Sequence, residues 1–190
     1  MTIITGTPAA ETLNGTNGGD QLRGLGGADT LNGNGGFDFA DYSADQAAGA
    51  TVGVAINMAT GQNFDSFGSI DIYNSIEGVM GTNFVDFITG DANNNTFYGY
   101  GGADVINGGL GKDTVSYGND VGHGGGGGIV VDLQAGTITD GFGATDTVSG
   151  IESVQGTQFA DTFTGSARSE DFSSYDGADT FHLNGGFDFA

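Results

Sequence analysis

Three consecutive nine-residue units, GTNGGDQLR, GLGGADTLN and GNGGFDFAD, run from Gly15 to Asp41. Each is a six-residue turn rich in glycine and closed by an acid (Asp20, Asp29, Asp38). A three-residue stretch with an apolar centre follows (Leu22, Leu31, Ala40). A unit this short cannot bury its own apolar side chain. The units must therefore stack on one another, and a solenoid is the architecture that the period dictates.

The pattern also recurs at a longer fixed interval, with Asp38, Asp113 and Asp188 at equivalent places. The block openings agree: GTPAAETLNG at Gly6, GTNFVDFITG at Gly81 and GTQFADTFTG at Gly156. The chain thus reads as one elongated all-β solenoid over 1–190, with blocks 6–80 and 81–155 and a partial block 156–190. Four nonads open each block. They begin at Gly6, Gly15, Gly24 and Gly33; at Gly81, Gly90, Gly99 and Gly108; and at Gly156, Gly165, Ser174 and Leu183. Their sixth place reads Glu11, Asp20, Asp29, Asp38; Asp86, Asn95, Asp104, Asp113; Asp161, Glu170, Asp179, Asp188. Their eighth place is apolar throughout, from Leu13 to Ala190. Two nonads predict one coil with a strand on each side, and neighbouring strands lie about 4.8 Å apart. Asp20 then stacks with Asp38 on one edge and Glu11 with Asp29 on the other, while the eighth-place side chains point inward.

The intervening segments, Tyr42 to Met80 and Tyr117 to Gln155, hold the strand-like runs VGVAINM, IDIYNSIEGVM, IVVDL and DTVSGIESV. They read as about two longer coils of the same solenoid, or as a β-hairpin excursion from the stack; alternation fits both. The run GHGGGGG at Gly122 reads as a mobile loop, with His123 solvated. Neither His123 nor His182 is expected to have a catalytic or metal role.

The 39 glycines are phased, which assigns them to turns with positive φ rather than to a flexible linker. The formal net charge of −21 excludes nucleic acid and anionic membrane surfaces as natural partners. No cysteine is present, so disulfides and thiolate chemistry are excluded. No stretch is long and apolar enough to span a bilayer. The opening MTIITGTPAAETLNG lacks the basic and apolar regions of a Sec signal peptide, and it reads as a genuine amino terminus. No H-E-x-x-H or G-x-S-x-G motif occurs, and no Lys-Ser/Thr follows the glycine run.

Stacked acids pose an electrostatic problem. Two carboxylates about 5 Å apart repel by roughly 1 kcal/mol even in water, and more where solvent is excluded. Ordering the glycines adds a backbone-entropy cost that a thin core does not easily offset. A hard divalent cation between turns removes the repulsion. Donors that are all oxygen, aspartate with loop carbonyls, match Ca²⁺ and not Zn²⁺ or Cu²⁺.

Units such as GLGGADTLN and GYGGADVIN resemble the nonapeptide repeats of the RTX, or hemolysin-type calcium-binding, family. The resemblance implies a right-handed parallel β-roll holding several Ca²⁺ ions, secretion by a type I export system, and folding triggered by extracellular calcium. Carried over by position, it implies carboxylate ligands from Asp20, Asp29, Asp38, Asp86, Asp104, Asp113, Asp161, Asp179 and Asp188, with Glu11 and Asn95 at equivalent places. It implies carbonyl ligands from Gly18, Gly24, Gly26, Gly33, Gly35, Gly99, Gly101, Gly108, Leu110 and Gly185. The turns at Gly6, Gly81 and Gly156 depart from the pattern, with Ala9, Phe84 and Phe159 where glycine is usual. Those turns, and the ones closed by Asn95 and Glu170, are expected to bind weakly or to cap the stack.

The function these features imply is a secreted, non-catalytic calcium-binding structural protein of surface-layer, matrix or adhesin type. The alternative is an accessory module of a secreted enzyme or a glycan-binding module, with a cell-surface polysaccharide as partner. An open solenoid end, where Asp188 and the Gly185 carbonyl await a further coil, also predicts calcium-dependent association end to end.

Overall fold

The computed structural model describes residues 1–190. The first nonads form β1 (Thr2–Thr5), β2 (Thr12–Asn14), β3 (Asp20–Arg23), β4 (Thr30–Asn32) and β5 (Phe39–Asp41), followed by the one-turn helix α1 (Asp45–Ala48). The first intervening segment supplies β6 (Ala55–Asn57), β7 (Gln62–Phe64), β8 (Ile70–Asn74) and β9 (Gly78–Met80). The second block repeats this order. Its nonads form β10 (Phe87–Thr89), β11 (Thr96–Tyr98), β12 (Val105–Asn107) and β13 (Thr114–Ser116), then the helix α2 (Asp120–His123). Its intervening segment forms β14 (Val130–Asp132), β15 (Thr137–Thr139), β16 (Thr145–Ser149) and β17 (Ser153–Gln155). The third nonad set adds β18 (Thr162–Thr164), β19 (Asp171–Ser173) and β20 (Thr180–His182).

The strands fall into two sheets. The first is wholly parallel, in the order β1-β3-β5-β9-β11-β13-β17-β19. The second runs β2-β4-β8-β7-β6-β10-β12-β16-β15-β14-β18-β20. Within nonad sets, each strand pairs with the strand two nonads further on, as in Leu13↔Leu31 and Ile88↔Ile106, so two nonads do make one coil. The chain is nearly all strand and stacks as a parallel β-roll.

Each intervening segment makes one enlarged coil, not two. After β5 the chain crosses to the second sheet but lands on β6, three strand places beyond β4. It then returns through β7 and β8, pairing antiparallel at both steps, until β8 lies parallel to β4. From there it crosses to β9, which pairs directly with β5. The second segment repeats this through β14, β15 and β16. The hairpin is therefore part of the stack and not an excursion from it.

Registered inward side chains make the core. Ile4, Leu22, Ala40, Val79, Phe97, Val115, Val154 and Phe172 form one continuous ladder along the first sheet. In the second sheet the apolar ladder is interrupted at the meanders, where Asn63, Asp71 and Asp146 face inward. Buried Tyr42 and Tyr117 answer these acids. The Tyr42 hydroxyl donates to Asp71 Oδ2 at 2.8 Å, and the Tyr117 hydroxyl donates to Asp146 Oδ2 at 2.8 Å.

The glycine run after α2 is pinned. Gly126 and Gly127 N–H both donate to the Gly141 carbonyl, at 2.9 and 3.0 Å. His123 is not solvated as its sequence context implies: its ring stacks on Tyr100 with centroids 3.8 Å apart. Glycine neighbours gave no sign of that aromatic partner, which comes from another coil.

Adjacent residues of β12 test the alternation. Ile106 is fully buried, whereas Val105 is 41% exposed. Ile106→Ala is expected to lower the unfolding free energy by about 2–5 kcal/mol in saturating calcium, and Val105→Ala to change it by roughly 0.5 kcal/mol or less. Denaturant titration of both variants measures the contrast.

Candidate metal centres in the turns

The acids that close the nonads do more than repel. One carboxylate oxygen of most of them accepts the backbone N–H of the facing residue one coil earlier. Asp29 Oδ1 accepts from Glu11 N–H at 2.9 Å, and Asp38 Oδ1 from Asp20 N–H at 2.8 Å. Asp104 Oδ1 accepts from Asp86 at 2.9 Å, Asp113 Oδ1 from Asn95 at 2.7 Å, Asp179 Oδ1 from Asp161 at 3.0 Å and Asp188 Oδ1 from Glu170 at 3.0 Å. The ladder continues through the enlarged coils. Asp29 N–H donates to Asp71 Oδ1 at 2.9 Å, Asp38 N–H to Glu77 Oε2 at 2.9 Å, and Asp104 N–H to Asp146 Oδ1 at 2.9 Å.

The second oxygen divides the turns of the first two blocks, and those at Gly156 and Gly165, into two kinds. In one kind the second residue of the turn carries a hydroxyl that closes on the acid. Thr16 Oγ1 donates to Asp20 Oδ2 at 2.9 Å, Thr82 Oγ1 to Asp86 Oδ1 at 3.0 Å and Thr157 Oγ1 to Asp161 Oδ1 at 2.9 Å. The backbone N–H of the same threonines also donates to Oδ2 of Asp20, Asp86 and Asp161. Ser166 closes on Glu170 in the same way. The Thr7 N–H reaches Glu11, and the Asp91 N–H reaches Asn95 Oδ1 at 2.9 Å.

In the other kind the second residue takes the left-handed conformation: Leu25 (φ 65°), Asn34 (φ 70°), Tyr100 (φ 63°) and Gly109 (φ 97°). This turns its N–H away from the acid. Oδ2 of Asp29, Asp38, Asp104 and Asp113 is then buried with no hydrogen-bond partner. Such orphaned buried oxygens are rare and demand an explanation.

Glycine and carbonyl geometry supply one. A Cβ on Gly33 would overlap both Asp38 Oδ2 and the Ser75 carbonyl of the next coil; one on Gly108 would overlap Asp113 Oδ2 and the Gly150 carbonyl. The bare glycines thus leave room where a carboxylate oxygen and a carbonyl oxygen of successive coils approach each other. Gly24 and Gly99 stand equally close to Asp29 Oδ2 and Asp104 Oδ2. The carbonyls of Gly24, Gly26, Gly33, Gly35, Gly99, Gly101, Gly108, Leu110 and Gly185 accept no backbone hydrogen bond. The Gly18 carbonyl differs, accepting from the Thr16 hydroxyl at 3.3 Å. Asp179 and Asp188 are only half-buried. No three acidic side chains close on one point, so any cation here is held by carboxylates together with carbonyls.

The electrostatics follow this division. Asp20 is held below the usual carboxylate value, first by the Thr16 backbone N–H. Burial pushes Asp29 and Asp38 up, Asp113 up to about 6 and Asp104 up to about 9. Asp86 also rises to about 6, because deep burial outweighs its Thr82 donors. The donor set of orphaned hard oxygens fits a divalent cation of the calcium type. When bound, such an ion supplies the positive charge that these coils lack.

Sequence reasoning missed the difference between the two kinds of turn. Its signal is the second residue, threonine or serine in the closed kind. It also missed that Asp45, Asp65, Asp120 and Asp140 are buried. A further repeated feature is an open cleft beside each enlarged coil. One of about 460 Å³ is lined by Tyr73, Ser75, Glu77 and Asp91, and one of about 440 Å³ by the equivalent Val148, Gly150 and Ser166 with Arg168.

Two predictions follow the two turn types. Asp104→Asn removes a group that must bury a charge or take up a proton, without changing shape, so it is expected to leave more strand in chelator and to shrink the calcium-induced rise in strand content. Thr82→Val is expected to cost about 1–3 kcal/mol while leaving the calcium-induced rise intact. Proton linkage gives another. Carboxyls raised from 3.8 to about 6 (Asp113) and about 9 (Asp104) bind protons in the folded state before the unfolded one. Stability of the chelated chain is therefore greatest in acid and falls as pH rises from about 4 towards 9. Circular dichroism in chelator is expected to show more strand at about pH 5 than at pH 8, and saturating calcium to abolish that difference.

The family model "RTX calcium-binding nonapeptide repeat (4 copies)" matches residues 5–40, 80–115 and 155–190, the three nonad sets. These ranges cover more than half of the chain, and they are the segments that form the glycine-rich turns and their strands. The chain belongs to the RTX calcium-binding nonapeptide repeat family.

Proposed function

We propose that the chain is a secreted, non-catalytic structural protein whose solenoid is completed by extracellular Ca²⁺. The observation that carries this reading is the set of four buried, unpartnered Oδ2 atoms on Asp29, Asp38, Asp104 and Asp113. No side-chain or backbone donor of the chain reaches those atoms. Of the three basic residues, Arg23 pairs with Asp41, and Lys112, although it precedes Asp113 in its turn, pairs with Asp171. Calcium ligation would then come from these four carboxylates and their neighbouring glycine carbonyls. The hydroxyl-closed turns at Asp20, Asp86 and Asp161 would act as spacers that need no ion. Export by a type I system and a role in a surface layer, matrix or adhesin complete the reading. No helix is long and apolar enough to cross a membrane.

The test is far-UV circular dichroism of the purified chain. Strand content is expected to collapse in chelator and to return at calcium concentrations of about 10⁻⁴ to 10⁻³ M, the range of extracellular modules. An unchanged spectrum and Tm in chelator would overturn the proposal.

One observation favours a second reading, a glycan-binding module: an open cleft recurs in both blocks, lined by Tyr73, Glu77 and Asp91 in the first and by Val148, Ser166 and Arg168 in the second. Binding of the calcium-loaded chain on a glycan array, lost on Asp91→Ala with Asn93→Ala, would favour it over the purely structural role.

A further inference from the structure

Each enlarged coil buries a second set of acids outside the nonads. In the first block these are Asp45, at the start of α1, and Asp65, in the loop between β7 and β8; in the second they are Asp120 and Asp140. The two sets occupy equivalent places in their blocks, and all four residues are at most 3% exposed. Each pair is brought together by its loop. Ser66, next to Asp65, donates its hydroxyl to Asp45, while Gly141, next to Asp140, donates its N–H to Asp120 Oδ2 at 3.2 Å.

The loops are built to hold one oxygen and leave the other. Asp65 Oδ1 accepts from Phe67 and Ser69 N–H at 2.9 and 2.6 Å; Asp140 Oδ1 accepts from Phe142 and Ala144 N–H at 3.0 and 2.7 Å. The remaining atoms, Asp45 Oδ1, Asp65 Oδ2, Asp120 Oδ1 and Asp140 Oδ2, are buried and unpartnered. The facing nonad turn packs on the same loop. Gly26 packs on the Phe67 ring and Gly101 on the Phe142 ring. That contact sets Asp29 in the field of Asp65 and Asp104 in the field of Asp140. Burial first, and then the neighbouring carboxylates, push Asp45 up to about 7 and Asp120 up to about 8.

We infer that each enlarged coil carries its own divalent-cation site, distinct from the nonad turns, in which Asp45 with Asp65, and Asp120 with Asp140, hold a hard ion such as Ca²⁺. No three carboxylates meet at one point, so backbone carbonyls complete the shell, as calcium's six to eight oxygen ligands allow. The ion ties α1 or α2 to the meander loop.

Equilibrium dialysis against ⁴⁵Ca²⁺ tests this. Asp45→Asn with Asp65→Asn, and separately Asp120→Asn with Asp140→Asn, are expected to bind one ion fewer per altered pair while remaining folded in saturating calcium. Asp38→Asn with Asp113→Asn probes the nonad sites alone, so failure of one class of site is distinguishable from failure of the other. A folded pair variant with the full native complement of calcium would overturn the inference, and would mean that the acids are protonated instead. If a pair variant does not fold, anomalous diffraction from native crystals grown in Tb³⁺ decides. A peak beside Asp45 and Asp65 supports the site; peaks at the nonad turns with none there overturn it.

Discussion

The hydrogen bond from a backbone N–H of one coil to a carboxylate oxygen of the next is the interaction on which the stack depends. It fixes the rise between coils on both edges, because the same atoms recur from Thr2 with Asp20 to Glu170 with Asp188. A charged acceptor makes this bond stronger than a neutral one. It also brings a carboxylate into the stack at most turns, which is the electrostatic cost that the remaining features answer. Where the second residue of the turn is threonine or serine, the protein's own donors answer it. Where that residue is left-handed, one oxygen is left without a partner, and the fold comes to depend on a ligand from solution.

The enlarged coils meet the same cost differently. Asp71 and Asp146 lie inside the sheet and extend the ladder, each taking the N–H of Asp29 or Asp104 on one oxygen. Their other oxygen is covered by a tyrosine hydroxyl from the opposite side of the solenoid. These tyrosines stand at the eighth-place ladder's interruption. A buried phenol there does two tasks: its ring fills core volume, and its hydroxyl satisfies the carboxylate oxygen that the backbone N–H leaves free.

Much of this was legible in the sequence wherever a period carried it. The nonad repeat predicts the coil of two units, the acid columns and the inward positions of Leu22, Leu31 and Ile106, because both turn chemistry and burial recur at the same interval. The meander was not legible, since a β-strand that runs backwards has the same alternation as one that runs forwards. Asn63, Asp71 and Asp146 further obscured it by placing polar residues where a core face predicts apolar ones. The distinction between closed and open turns was present in Thr16, Thr82 and Thr157 against Leu25, Asn34 and Tyr100. It needs knowledge of where the second carboxylate oxygen points, and that comes only from the backbone. His123 shows the same limit, as its stacking partner Tyr100 lies on another coil.

The backtracking route of the enlarged coil has a consequence for how the solenoid grows. Through β5, each new strand finds its partner already in place, so the stack extends one strand at a time with short closures. Beyond Asp41 this stops. β6 has no neighbour when it is laid down, because the two places between it and β4 are empty until β7 and β8 return. Its far partner β10 follows only after the whole segment is complete, as Ala55↔Phe87. Three strands must therefore join as a unit, at a higher loop-closure cost than any nonad coil. Once per block, assembly changes from continuous zipping to a single cooperative step, and an array of such blocks advances as a ratchet with one tooth in each.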